Sequence, residues 1–66
     1  MQNTPSPRQI QILQLLANGK ETKEIARELF ISASTITTQL DRANDVLGTH
    51  NRTQAVATAL RLKLIE

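Results

Sequence analysis

The sequence predicts an all-α fold, a four-helix domain, on three observations. Apolar residues recur at three- and four-residue intervals along most of the 66-residue chain, the spacing of a buried helical stripe. Start signals such as Ser6-Pro7 and stop signals such as Gly19 and Gly48 cut that pattern into lengths suited to helices. No segment alternates apolar and polar residues with the β-branched and aromatic content of a strand; the chain holds one Phe and neither Trp nor Tyr.

The first helix is predicted over about Pro7 to Asn18. Ser6 can cap it, Pro7 suits its first position and Gln9 can reach back to close a capping box. Ile10, Leu13, Leu16 and Ala17 recur at helical spacing, Ile12 and Leu15 widen the stripe, and Gly19 supplies a left-handed stop. A short second helix follows Thr22 as its expected cap, with Ile25, Ala26 and Leu29 on one face. Ser32 is placed to cap a third helix, about Ala33 to Leu47, ended by Gly48. Its buried stripe is Ile36, Leu40, Ala43 and Leu47, and Ser34, Thr37, Thr38, Asp41 and Asp45 occupy the opposite face. Asn51 to Thr53 offer caps for a last helix built on Ala55, Val56, Ala59, Leu60 and Leu62, after which Leu64 and Ile65 fold back onto the core. Residues 1–5 read as a flexible tail and 6–66 as one domain.

Composition narrows the function. A chain this short buries only about 60% of the surface its unfolded form exposes, which leaves no room for a deep substrate cavity beside the core. Without cysteine and with a single histidine, a disulfide scaffold, a zinc module and a thiol enzyme are excluded. There is no apolar run of membrane-spanning length and no secretory leader pattern, so the expected setting is cytoplasmic. Eight basic against six acidic residues permit a polyanionic partner without requiring one.

A short helix, a tight connection and a longer helix with a polar outer face is the arrangement of a helix-turn-helix reader of double-stranded DNA. Thr22 to Ile36 meets its steric demands. Ala26 is small where the two helices cross, and Ile25, Leu29, Ile31, Ile36 and Leu40 fill the angle between them. On this reading Ser34, Thr37, Thr38 and Asp41, exposed in the half of the helix that enters the groove, are candidate base contacts. Lys20, Thr22, Lys23, Ser32, Thr35, Arg42, Asn51 and Arg52 are candidate phosphate contacts, being polar or cationic groups near helix N-termini or beside the reading helix. Arg52 has a rival role as a partner for Glu24, and Gln39 points sideways. The pairs Glu24/Glu28 and Asp41/Asp45 have helical spacing but read as solvated surface rather than acid–base machinery, and His50 has no second metal ligand at helical spacing. No catalytic residue, metal or cofactor is expected.

The segments Ser6-Pro7-Arg8, Leu15-Leu16-Ala17-Asn18-Gly19, Lys23-Glu24-Ile25-Ala26, Leu29-Phe30-Ile31-Ser32, Thr35-Ile36, Leu47-Gly48 and Asn51-Arg52-Thr53-Gln54-Ala55-Val56, in this order, resemble the LuxR/GerE/FixJ-type DNA-binding domain of transcriptional regulators. The resemblance implies a four-helix domain with its third helix in the major groove and its fourth forming a two-fold dimer contact. It also implies either a receiver or ligand-binding domain N-terminal to these residues in a longer regulator, or a stand-alone regulator. Gln54, Ala57, Thr58 and Arg61, the face of the last helix not needed by the core, are the expected dimer surface.

The chain also departs from that family. Thr37 stands where Lys is usual and Gln39 where His is usual, and Asp45 and Val46 replace basic positions. Asp41 falls where some members place a basic residue, so base preference should differ from that of Lys-bearing relatives. Two rival readings follow from the residues. One is a protein-interaction module derived from such a domain, which binds or titrates another regulator. The other is a fragment of a sigma-factor promoter-binding region, against which the Asn51 to Val56 segment argues.

Overall fold

Helix starts follow the chemistry of the orphan N–H groups. The computed structural model describes residues 4–66, and they form α1 (Pro7–Ala17), α2 (Thr22–Leu29), α3 (Ala33–Leu47) and α4 (Arg52–Arg61). Of the expected tail, residues 1–3 lie outside the described residues. Ser6 Oγ accepts from Gln9 N–H at 3.2 Å while Gln9 Oε1 accepts from Ser6 N–H at 2.9 Å, the reciprocal pair expected at α1. Ser32 Oγ accepts from Thr35 N–H at 3.1 Å, and Asn51 Oδ1 from Gln54 N–H at 2.8 Å.

The start of α2 corrects the sequence reading. Glu21, in extended conformation, is the cap, and Thr22 is the first helical residue. Glu24 Oε1 reaches back to accept from Glu21 N–H at 2.9 Å, the return bond of a capping box. The Thr22 hydroxyl is thereby left for a tertiary bond.

All four helices end in one way. The N–H groups of Lys20, Ile31, Thr49 and Leu64 bond to the carbonyls of Leu15, Ala26, Asn44 and Ala59, at 2.9–3.0 Å. In each case the preceding residue, 19, 30, 48 or 63, has positive φ. Gly19 and Gly48 adopt it freely; Phe30 (φ 59°) and Lys63 (φ 60°) carry a Cβ there.

The core joins Ile12 and Leu13 of α1, Ile25 of α2, Ile36, Leu40 and Ala43 of α3, Ala55 and Ala59 of α4, and Ile65 of the returning tail. Ile12, Leu13, Ile25 and Ile36 are fully buried, and each is worth roughly 1.5–3 kcal/mol. That is a large share of the total expected at this size, on the order of 3–10 kcal/mol. The tail is held by Gln14, whose side chain accepts from Glu66 N–H (2.8 Å) and donates to Glu66 O (3.1 Å).

Two assignments to the core do not hold. Leu60 is 44% exposed and Leu62 58% exposed. At 100° per residue Ala55 and Ala59 define the inward line of α4; Leu60 is rotated off it, and Leu62 lies beyond the last helical residue. In α1 the inward line passes through Gln9, Ile12 and Leu13, with Ile10 and Leu16 only partly covered.

Candidate nucleic-acid interface

Two helices crossing at a tight turn place the exposed ridge of α3. Phe30, Ile31 and Ser32 connect α2 to α3, and the buried Ile25 and Ile36 fix the angle from behind. With Ile36, Leu40 and Ala43 facing the core, Ser34, Thr37, Thr38 and Asp41 stand exposed along one ridge of α3. The four predicted base-contact residues are thus together on one face.

Their hydrogen bonds define what they present. Thr37 Oγ1 donates to Ala33 O at 3.2 Å and Thr38 Oγ1 to Ser34 O at 3.0 Å, each one turn back along the helix. At the N-terminus of α3, Ser32 Oγ lies 3.0 Å from Ser34 Oγ and 2.9 Å from Thr35 Oγ1. These two contacts consume two of the three hydroxyl protons, which leaves one to donate outward. Neither α3 nor α4 has an acidic residue in its first turn, so their positive N-terminal dipole ends are not neutralised locally.

The candidate phosphate residues flank this ridge. Arg52, at the start of α4, donates from Nη1 to Thr22 Oγ1 at the start of α2, at 2.9 Å. That bond, and not the weighed pairing with Glu24, is what the structure shows; the Thr22 hydroxyl lies within reach because Thr22 is not spent as a cap. It brings two helix N-termini together, with Lys23 and Asn51 exposed beside them. Lys20 Nζ pairs with Glu28 Oε1 at 3.9 Å, the one ion pair among the described residues. Both groups are roughly half exposed, so the pair is weak. Arg42 is exposed on α3. A cleft of about 260 Å³ opens between α3 and the turn before α4, with Thr37, Asp41, Asn44, His50 and Arg52 in its walls.

Gln39 is half-buried. Its Oε1 accepts from Gln9 Nε2 at 3.0 Å, and Gln9, 8% exposed, also closes the α1 cap. One buried amide thus sets the α1 start and ties α1 to α3.

On α4, Gln54, Ala57 and Arg61 are exposed and Thr58 is half-buried. Gln54 Oε1 accepts from His50 N–H at 2.8 Å, and Arg61 Nη2 donates to Thr58 Oγ1 at 3.2 Å. The sequence reading missed Leu60 for this face. It lies three residues after Ala57 and one before Arg61, a spacing that could have assigned it to the outer surface. No cluster of His, Cys, Asp or Glu able to hold a metal occurs among the described residues, and no described helix is long and apolar enough to cross a membrane.

A short helix crossing a longer one behind a polar outer ridge defines a helix-turn-helix domain. The model of the family described as "Bacterial regulatory proteins, luxR family" matches residues 4–59, and the chain belongs to that family. It is similar to the quorum sensing-dependent transcriptional regulator VjbR of Brucella abortus, with 46% identity over 61 residues, 92% of this chain but 24% of VjbR. To the spore germination protein GerE of Bacillus subtilis it is 42% identical over 59 residues, 89% of this chain and 80% of GerE. Among solved structures, the response regulator ChrA of a heme-sensing two-component system superposes with a TM-score of 0.90 at 38% identity, over 98% of this chain and 32% of ChrA. The transcription factor GerE superposes with a TM-score of 0.87 at 33% identity, over 92% and 91% of the two chains. The chain is accordingly a LuxR-type DNA-binding domain of the kind found in transcriptional regulators, and its family is one of regulators rather than enzymes.

Proposed function

We propose that this domain reads double-stranded DNA sequence-specifically by laying α3 in the major groove, and binds a two-fold operator as a homodimer through α4. The observation that carries the reading is the single ridge Ser34, Thr37, Thr38 and Asp41, exposed along α3 while Ile36, Leu40 and Ala43 behind it are buried. Phosphate contacts come from Lys20, from Thr22, Lys23, Asn51 and Arg52 where the starts of α2 and α4 meet, and from Ser32, Thr35 and Arg42 along α3. Gln54, Ala57, Thr58 and Arg61, with Leu60 among them, form the dimer surface. A receiver or ligand-binding domain elsewhere in the same regulator is supported by ChrA, a response regulator of which this chain covers 32%. Action in the cytoplasm follows from the DNA target.

Affinity for a selected duplex, measured against salt, tests the reading. A dimer that neutralises up to about eight phosphates gives a slope of log affinity on log salt of roughly −5 to −7. Lys23→Ala should weaken binding to all sequences alike and flatten the slope by about one per protomer, whereas Thr37→Ala should change sequence preference. Absence of duplex binding at low salt would refute the proposal. The acidic residues Asp41 and Asp45 on α3 would then favour the protein-interaction module.

A further inference from the structure

The α3 ridge lacks the donors by which proteins most often read guanine. No Lys, Arg, Asn or Gln stands at 34, 37, 38 or 41. The Thr37 and Thr38 hydroxyls each own one proton, and both protons are directed to carbonyls one turn back, Ala33 O and Ser34 O. What each threonine offers outward is the remaining lone-pair capacity of its oxygen and a methyl group. Asp41 is exposed, takes part in no ion pair among the described residues, and has a carboxylate able only to accept. Gln39, the amide next to Thr38 in sequence, is tied to Gln9 behind the ridge, and Asn44, which shares a cleft with Thr37 and Asp41, accepts from the Thr49 hydroxyl.

In the major groove guanine shows two acceptors, N7 and O6, which need a protein donor. Cytosine shows the N4 amino group, adenine the N6 amino group beside N7, and thymine a methyl beside O4. The acceptors and methyl groups at 37, 38 and 41 match the amino groups and the thymine methyl and leave guanine N7 and O6 unanswered; the one hydroxyl proton left in the Ser32, Ser34 and Thr35 cluster belongs to the start of α3, outside this set.

We propose that Thr37, Thr38 and Asp41 read the operator by acceptance and methyl contact alone, so that they select cytosine or adenine amino groups and thymine methyls on the contacted edges. This rests on α3 lying in the major groove, as proposed above. Asp41 is the cytosine reader of the set, since a carboxylate accepting from N4 is the pairing its geometry favours. Thr37 and Thr38 tolerate cytosine, adenine or thymine.

Base analogues test this at the level of single atoms. The intact domain is first used to select duplexes from a random pool, and the winning site is resynthesised in modified forms. 7-Deazaguanine at every guanine removes the N7 acceptor and keeps pairing. N4-Methylcytosine and N6-methyladenine keep pairing but replace the groove-facing N–H by a methyl, and deoxyuridine removes the thymine methyl. The expected result is less than about a twofold change in Kd with 7-deazaguanine, against about a tenfold loss for at least one of the other three at a contacted base. Thr37→Lys, which supplies a donor at an exposed position, should acquire sensitivity to 7-deazaguanine. A tenfold loss with 7-deazaguanine in the unsubstituted domain, or indifference to the other three analogues, overturns the proposal. Failure of the pool to yield any duplex overturns the major-groove reading beneath it and is plainly distinguishable from either.

Discussion

Replacing Phe30 by glycine should stabilise the domain, although it deletes the only aromatic residue in the chain. Phe30 ends α2 with φ 59° and ψ 40°, and its side chain is 94% exposed. Holding a residue with a Cβ in that left-handed conformation costs about 1–2 kcal/mol. Deleting a ring this exposed forfeits almost no burial. Glycine's greater freedom in the unfolded chain takes back about 0.4–1 kcal/mol. The net gain is about 0.5–1 kcal/mol, which in a domain of this size raises Tm by about 2–8 °C. Thermal and urea unfolding followed by circular dichroism measure it. Phe30→Ala is the control, because it removes the ring and keeps the strain; it should fall within about 0.5 kcal/mol of the parent. A glycine variant no more stable than the alanine variant would refute the strain reasoning. A loss above about 1 kcal/mol in both would show that the ring packs.

Two further outcomes follow from side chains with defined partners. Gln9→Ala removes the bond closing the α1 cap and the bond to Gln39, and should lower unfolding stability by about 1–3 kcal/mol, seen as a lower urea midpoint with unchanged m-value. Leu60→Glu should leave the fold intact and abolish cooperative occupancy of the two half-sites in gel-shift titrations; cooperative binding that survives the charge would exclude α4 as the dimer surface.

The placement of charge also bears on how the domain holds DNA. Its net charge is only +2, and its candidate phosphate-binding cations flank a reading ridge that has none and that contains Asp41. Affinity is therefore expected to come from the flanks, through Lys23, Arg42 and Arg52, and selectivity from neutral and acidic groups between them. Asp45, in the last turn of α3, lies near the negative end of the helix dipole with no basic residue in that turn to offset it.

The four helices were legible in the sequence because their signals are local. A cap needs only a side chain within three residues of the N–H it satisfies, which is why Ser6 with Gln9, Ser32 and Asn51 could be read directly. The glycine-marked ends of α1 and α3 were equally plain. The ends of α2 and α4 carry no such mark, since Phe30 and Lys63 take the same left-handed turn without being glycine. There the 6→1 hydrogen bond and the core beyond it impose the conformation against the residue's own preference. The ridge of α3 was legible too, because an exposed face follows from the spacing of the buried one.

Tertiary structure decided what depends on groups distant in sequence. At the level of sequence Arg52 was a phosphate contact or a partner for Glu24; the folded chain brings its guanidinium instead to Thr22, 30 residues away. Gln39 could have been free to reach outward, and the folded chain bonds it to the buried Gln9, 30 residues away. Leu60 and Leu62 looked like core by composition, yet the line through Ala55 and Ala59 leaves them at the surface. Composition and spacing thus determined the class of fold, the helices and the exposed face of α3, which rest on short-range backbone chemistry. Side-chain partners and the rotation of each helix about its axis were set by the shared core, because burial is a property of the whole assembly of helices and not of any one segment.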